Sequence, residues 1–127
     1  SHLFDDKGRA SDGEGRLRDW WAPKDAARFE AIARQLEQQV GAYEPIPGQK
    51  VNGALTLGES IADLAGLVVA YDAWKRSLGG REPPVLDGFT GDQRFFMSYA
   101  QAWRWKGRPE SVSQSMKTDP HPPSAVR

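Results

Sequence analysis

The sequence predicts an all-α chain, and three observations carry that expectation. Apolar residues recur at helical spacing in several separate stretches. No stretch shows the apolar–polar alternation of a half-buried strand. Clusters of Gly and Pro separate the periodic stretches, as breakers between helices would. With 127 residues the chain suits one domain with a modest core, and no internal repeat divides it.

Residues 1–4 read as the end of a helix. Residues 5–22 read as an exposed loop, rich in Gly and charge (Asp5-Asp6-Lys7-Gly8-Arg9, then Ser11-Asp12-Gly13-Glu14-Gly15), which Trp20 and Trp21 anchor. The first helix is expected over 23–40. Pro23 suits its first turn, Phe29, Ile32, Ala33, Leu36 and Val40 share a face, and Gly41 is a natural stop. Residues 43–52 hold prolines and turn formers. A second helix is expected over 57–78, opened by Thr56-x-x-Glu59, which matches a capping box. Leu57, Ile61, Leu64, Val68 and Tyr71 form its apolar stripe, widened by Ala65, Val69 and Trp74, so it is expected to be largely buried. Its small residues Ala62, Ala65, Gly66 and Ala70 would admit a neighbouring helix. Gly79-Gly80 and Pro83-Pro84 end it. Thr90-x-x-Gln93 is a second capping box, opening a helix over 91–105 with Phe95, Phe96, Tyr99, Ala100 and Trp103 inward. Pro109 opens a short helix over 109–116, and a stiff Pro-rich tail occupies 118–127.

Composition narrows the function. Formal charge sums to zero and the basic residues are dispersed, which argues against a nucleic-acid partner. The absence of cysteine excludes disulfides, thiolate metal sites and a cysteine nucleophile. No apolar run is expected to approach the roughly 20 residues that span a bilayer.

Few residues are equipped for chemistry. Glu59 and Asp63 stand at i, i+4 on one helix face, about 5–6 Å apart at Cβ. Glu59 is either the capping-box glutamate or a zinc ligand, with Asp63 behind it as an acceptor for a ligand histidine. Of the two histidines, His121 follows Asp119 between prolines, where it would be held as an oxyanion donor or as a surface turn. Arg127 is either a carboxylate clamp or a frayed end.

These pieces, in order, resemble the neprilysin family of thermolysin-like zinc metallopeptidases. The matching segments are His2-x-Phe4-Asp5-Asp6-x-Gly8-Arg9, Asp19-Trp20-Trp21, and Asn52-Gly53-x-x-Thr56-Leu57-Gly58-Glu59-x-Ile61-Ala62-Asp63. They continue with Gln93-x-Phe95-Phe96-x-x-Tyr99-Ala100-Gln101-x-Trp103, Arg108-Pro109-Glu110 and Lys117-Thr118-Asp119-Pro120-His121. The resemblance implies the helical carboxyl-terminal part of a zincin catalytic domain. Ser1-His2 would be the last two positions of the family's H-E-x-x-H motif, making His2 a zinc ligand. Glu59 would be the third ligand, and Asp63 the carboxylate that orients a zinc histidine. Asp119 and His121 would stabilise the tetrahedral intermediate. Arg127 would bind the substrate's carboxyl-terminal side, and Ala102 and Trp103 would line the pocket for the side chain after the scissile bond.

The first zinc His and the catalytic Glu are expected before Ser1. The intact protein is thus expected to be a zinc endopeptidase of short peptides, and the isolated stretch inactive, with weak zinc binding. Its partners would be peptide substrate, the amino-terminal part of the same enzyme, and further copies of itself through exposed helix faces. The lack of cysteine does not settle the compartment but fits a bacterial relative of this family, and the intact enzyme is expected to be extracytoplasmic or associated with the cell envelope. The alternative is a non-catalytic helical interaction or dimerisation module.

Overall fold

The computed structural model describes residues 2–127. Two short 3-10 turns, His2–Phe4 and Gly8–Ala10, precede four helices. These are α1 (Pro23–Ala42), α2 (Gly53–Ser77), α3 (Gly91–Ala102) and α4 (Pro109–Thr118). Among the described residues only isolated bridges close loops, such as Ser11 with Leu17, so the fold is all-α as predicted.

The helices α1 and α2 come close where Gly53 meets Glu37. A Cβ on Gly53 would overlap the Glu37 carbonyl oxygen, so glycine is required at that crossing. The loop between them folds back, with the Val51 amide donating to the Tyr43 carbonyl. Val51 thereby joins Val40 and Met116 in the core, against which Leu36, Ile46, Val112 and Val126 pack. The Ser113 hydroxyl donates to Gln49 Oε1 at 2.7 Å and ties α4 to the same loop. A separate aromatic group joins α2 to α3: the Trp74 and Phe95 rings stack at 5.4 Å, and Tyr71 stacks on Phe96. Near the start, Trp21 meets Phe29 edge-on, and Trp20 Nε1 donates to the Ser11 carbonyl at 3.0 Å.

Several expectations are corrected. Helix α2 begins at Gly53 rather than near 57, because Asn52 lies upstream and its side chain accepts from the Leu55 amide at 3.0 Å. Thr56 is therefore inside the helix, its hydroxyl turned back to the Asn52 carbonyl, and Glu59 is no capping glutamate. Helix α3 keeps its Thr90–Gln93 capping box but ends at Ala102, with Trp103 as C-cap. Helices α1 and α4 run on by about one half-turn past their predicted ends. The α2 stripe is not largely buried: Leu64, Val68 and Val69 are exposed, as is Ile32 of α1. Nor does Gly66 receive a neighbour, since the close approach is at Gly53. By length and mean hydropathy alone α2 would also cross a bilayer, contrary to the expectation from runs. Its Glu59 and Asp63 face groups from elsewhere in the chain, which is the arrangement of a core helix.

Candidate metal centre

Glu59 sits in the second turn of α2, where a peptide carbonyl ladder fixes the backbone and leaves the carboxylate to be aimed by its neighbours. One oxygen, Oε1, lies 3.7 Å from His2 Nε2, and the other, Oε2, lies 3.2 Å from His121 Nε2. The two imidazoles come from opposite ends of the sequence, and Glu59 is the group between them. The His2 side chain is 59% exposed, so its outer face is open to a further partner.

His2 is held by Asp5. The His2 Nδ1 lies 2.8 Å from Asp5 Oδ2, which leaves Nε2 as the ring atom facing Glu59. Asp5 is buried, and its other oxygen accepts from the Gly8 amide at 2.7 Å and the Lys7 amide at 2.9 Å. Burial works to raise the Asp5 carboxyl, but the bonds from Gly8, His2 and Lys7 outweigh it and hold the group below its ordinary value near 3.8. The turn lies close against α2 at Gly58, where a side chain would crowd the two carboxylates. A Cβ there would stand 2.9 Å from Asp6 Oδ1 and 3.3 Å from Asp5 Oδ2.

His121 is fixed in the same manner by Asp119, which accepts from the His121 amide at 2.9 Å and lies 2.7 Å from its Nδ1. The amide bond chiefly, and then the ring, hold the Asp119 carboxyl below its ordinary value. Asp63, one turn beyond Glu59, accepts two bonds from Arg127, 2.6 Å from Nε and 2.5 Å from Nη2. The guanidinium carbon of Arg127 also lies 3.8 Å from the centre of the Trp103 ring. Ala102 closes α3 just before Trp103 and is exposed.

A zinc ion bound tetrahedrally at about 2.0–2.2 Å places neighbouring N and O donors about 3.4 Å apart. The 3.7 Å between His2 Nε2 and Glu59 Oε1 is compatible with one shared ion. The carboxylate already on the far ring nitrogen is the usual backing of a ligand histidine. The pair therefore fits zinc as two members of a ligand set. Among the described residues, no third His, Asp or Glu completes a cluster with them.

The sequence expectations named every one of these side chains except Asp5 as a partner of His2. The signal was present: His2 and Asp5 are three residues apart, the spacing of one tight turn. Asp63, expected behind a zinc histidine, is bonded here to Arg127. The position of Ser1 in the proposed H-E-x-x-H motif lies outside the described residues.

The helices thus bring together a glutamate set between two aspartate-backed imidazoles and, one turn on, an aspartate bonded twice to an arginine. The chain belongs to peptidase family M13, whose family description matches residues 1–127. It is 41% identical to endothelin-converting enzyme 1 of Bos taurus over its whole length, and 37% identical to Neprilysin-3 of Drosophila melanogaster. It spans only 17% and 16% of those proteins. Its fold matches an inhibitor complex of the Mycobacterium tuberculosis zinc metalloprotease ZMP1 with a TM-score of 0.88 and 44% identity. That match covers 98% of this chain and 20% of the other.

Proposed function

We propose that the polypeptide containing these residues is a zinc-dependent endopeptidase acting on short peptides. The observation that carries the proposal is Glu59 between two imidazoles, each backed by its own aspartate. Membership of a family whose relatives include zinc metalloproteases supports it.

In this account His2 Nε2 and Glu59 hold zinc, and a further histidine and a catalytic glutamate come from residues outside this stretch. When bound, zinc supplies a Lewis acid that acidifies water and polarises a peptide carbonyl. Asp5 keeps His2 in the tautomer that presents Nε2. His121, steadied by Asp119, donates to the carbonyl oxygen as it becomes negative, a contribution worth about 10²–10³ in rate for comparable donors. Arg127 is held by Asp63 and by the Trp103 face, and presents its remaining N–H groups to the carboxyl-terminal side of the peptide. Asp63 also orients a zinc histidine from outside this stretch. Ala102 and Trp103 line the pocket for the side chain after the scissile bond.

The test is hydrolysis of quenched-fluorescence peptides by the intact polypeptide. Cleavage that a chelator abolishes and zinc restores is expected. Chelator-insensitive cleavage, or none, contradicts the proposal. The isolated 127 residues are expected to cleave nothing and to bind zinc weakly, since they supply two ligands and no general base.

The exposed groove between α1 and α2, about 320 Å³ and lined by Phe29, Ile32, Leu64 and Val68, is proposed to be covered by the remainder of the same polypeptide. Without that cover the isolated stretch should self-associate. Sedimentation of a clean monomer with no dye binding contradicts this. An extracytoplasmic or cell-envelope location is proposed for the intact enzyme. One 42% identical relative is named membrane metallo-endopeptidase-like 1, and the absence of cysteine suits a bacterial source.

A further inference from the structure

Trp105 has no task in the fold comparable to those of the other tryptophans. Trp20, Trp21, Trp74 and Trp103 each meet another aromatic ring. Among the described residues Trp105 meets none, and it is 64% exposed. Its place is nonetheless fixed. The Trp105 amide donates to the Trp103 carbonyl at 2.7 Å, in the turn that follows α3. The indole lies back across Gly107, where a Cβ would overlap the ring.

One turn of chain thus aims two indoles. Trp103 lies under the Arg127 guanidinium. Trp105 forms a wall of a cavity of about 330 Å³ shared with Val112, Met116, Asp119, His121 and Arg127. The cavity therefore has a cationic, hydrogen-bonding side and an apolar side. An exposed indole with a free face, next to groups that would bind a peptide backbone, suits an apolar or aromatic side chain.

We propose that Trp105 is a specificity-determining residue. Its indole face takes an apolar or aromatic side chain of the bound peptide, on the carboxyl-terminal side of the scissile bond and beyond the residue met by Ala102 and Trp103. The proposal rests on the peptidase reading, because Arg127 and His121 set the direction of the peptide.

The experiment uses the intact polypeptide and two quenched-fluorescence peptides that differ only in Phe or Gly at the second residue after the cleaved bond. Trp105→Ala should lower the Phe-over-Gly ratio of kcat/KM by about three- to tenfold, the size of one aromatic contact, chiefly through KM. Trp105→Phe should keep most of the preference. Equal losses on both peptides, as a purely structural indole covered by another part of the chain would give, overturn the proposal. So does an unchanged ratio. A second arm measures binding of the dipeptides Leu-Phe and Leu-Gly by calorimetry. Tighter binding of Leu-Phe that Trp105→Ala removes supports the assignment, and equal binding in parent and variant overturns it. If the intact polypeptide cleaves no peptide, the peptidase reading falls and this binding arm still decides the role of Trp105.

Discussion

Replacing Gly58 by alanine separates the stability of α2 from the geometry of the proposed metal site. Two effects oppose each other. Alanine is favoured over glycine inside a helix by about 1 kcal/mol. Against this, the new Cβ would stand 2.9 Å from Asp6 Oδ1 and 3.3 Å from Asp5 Oδ2, so both carboxylates must retreat by a few tenths of an ångström. The obstructing atoms are side-chain ends, which makes the strain small, about the size of the helix gain and opposite in sign. Overall stability should therefore change by less than about 1 kcal/mol. The retreat of Asp5 Oδ2 is not neutral for His2, because that oxygen makes the 2.8 Å contact to Nδ1. Deleting such a backing carboxylate costs about 10–100-fold in metal affinity, and a displaced one should cost less, about three- to tenfold. The assay pairs thermal melting of the metal-free intact polypeptide with zinc competition against a fluorescent chelator. An unchanged zinc affinity in Gly58→Ala, with melting also unchanged, would refute the claim that Asp5 and α2 jointly set the position of His2.

Other perturbations reach separate parts of the account. Gly53→Ala places a Cβ on the Glu37 carbonyl, a backbone atom that cannot step aside, so it should destabilise the α1–α2 pair by about 1–3 kcal/mol in thermal or urea unfolding. A double-mutant cycle of Asp63→Ala and Arg127→Ala should return a coupling of about 1.5–3 kcal/mol, since both side chains are mostly buried and the bonds are charge-assisted; a coupling near zero counts against the clamp. The Asp5 carboxyl is held below its ordinary value near 3.8, so its stabilising bonds are complete above 3.8 and are lost as pH falls through the lower folded value. Acid unfolding should accordingly become less steep at its lowest pH values in Asp5→Asn, and an identical profile argues against it.

Much of this site was legible from residue order, because the relevant side chains are few and lie within short segments. Both histidines stood out by their scarcity, but the roles expected of Glu59, Asp63, Asp119 and Arg127 rested on the family resemblance, since spacing alone left Glu59 as a cap or a ligand and Arg127 as a clamp or a frayed end. Which of them pair could not be read in that way. Arg127 reaches Asp63 across 64 residues of sequence, and no local rule anticipates that contact. The start of α2 was misplaced because Thr56-x-x-Glu59 imitates a capping box, while the stronger Asn52 cap lies one turn earlier. The burial of α2 was overestimated for a different reason. Periodicity tells which face is apolar, but the cover of Leu64, Val68 and Val69 depends on what else packs there, and these 127 residues leave them exposed. Loop packing escaped altogether: that Val51 would enter the core follows from the Tyr43–Val51 turn, which periodicity cannot register.

The most direct measurement is X-ray absorption on the zinc-loaded intact polypeptide, with metal content determined for Glu59→Ala and His2→Ala. The account predicts one zinc per chain in the parent, an imidazole and carboxylate shell at about 2.0–2.2 Å, and loss of most bound metal in each variant. Full zinc content with an unaltered spectrum in both variants would contradict it.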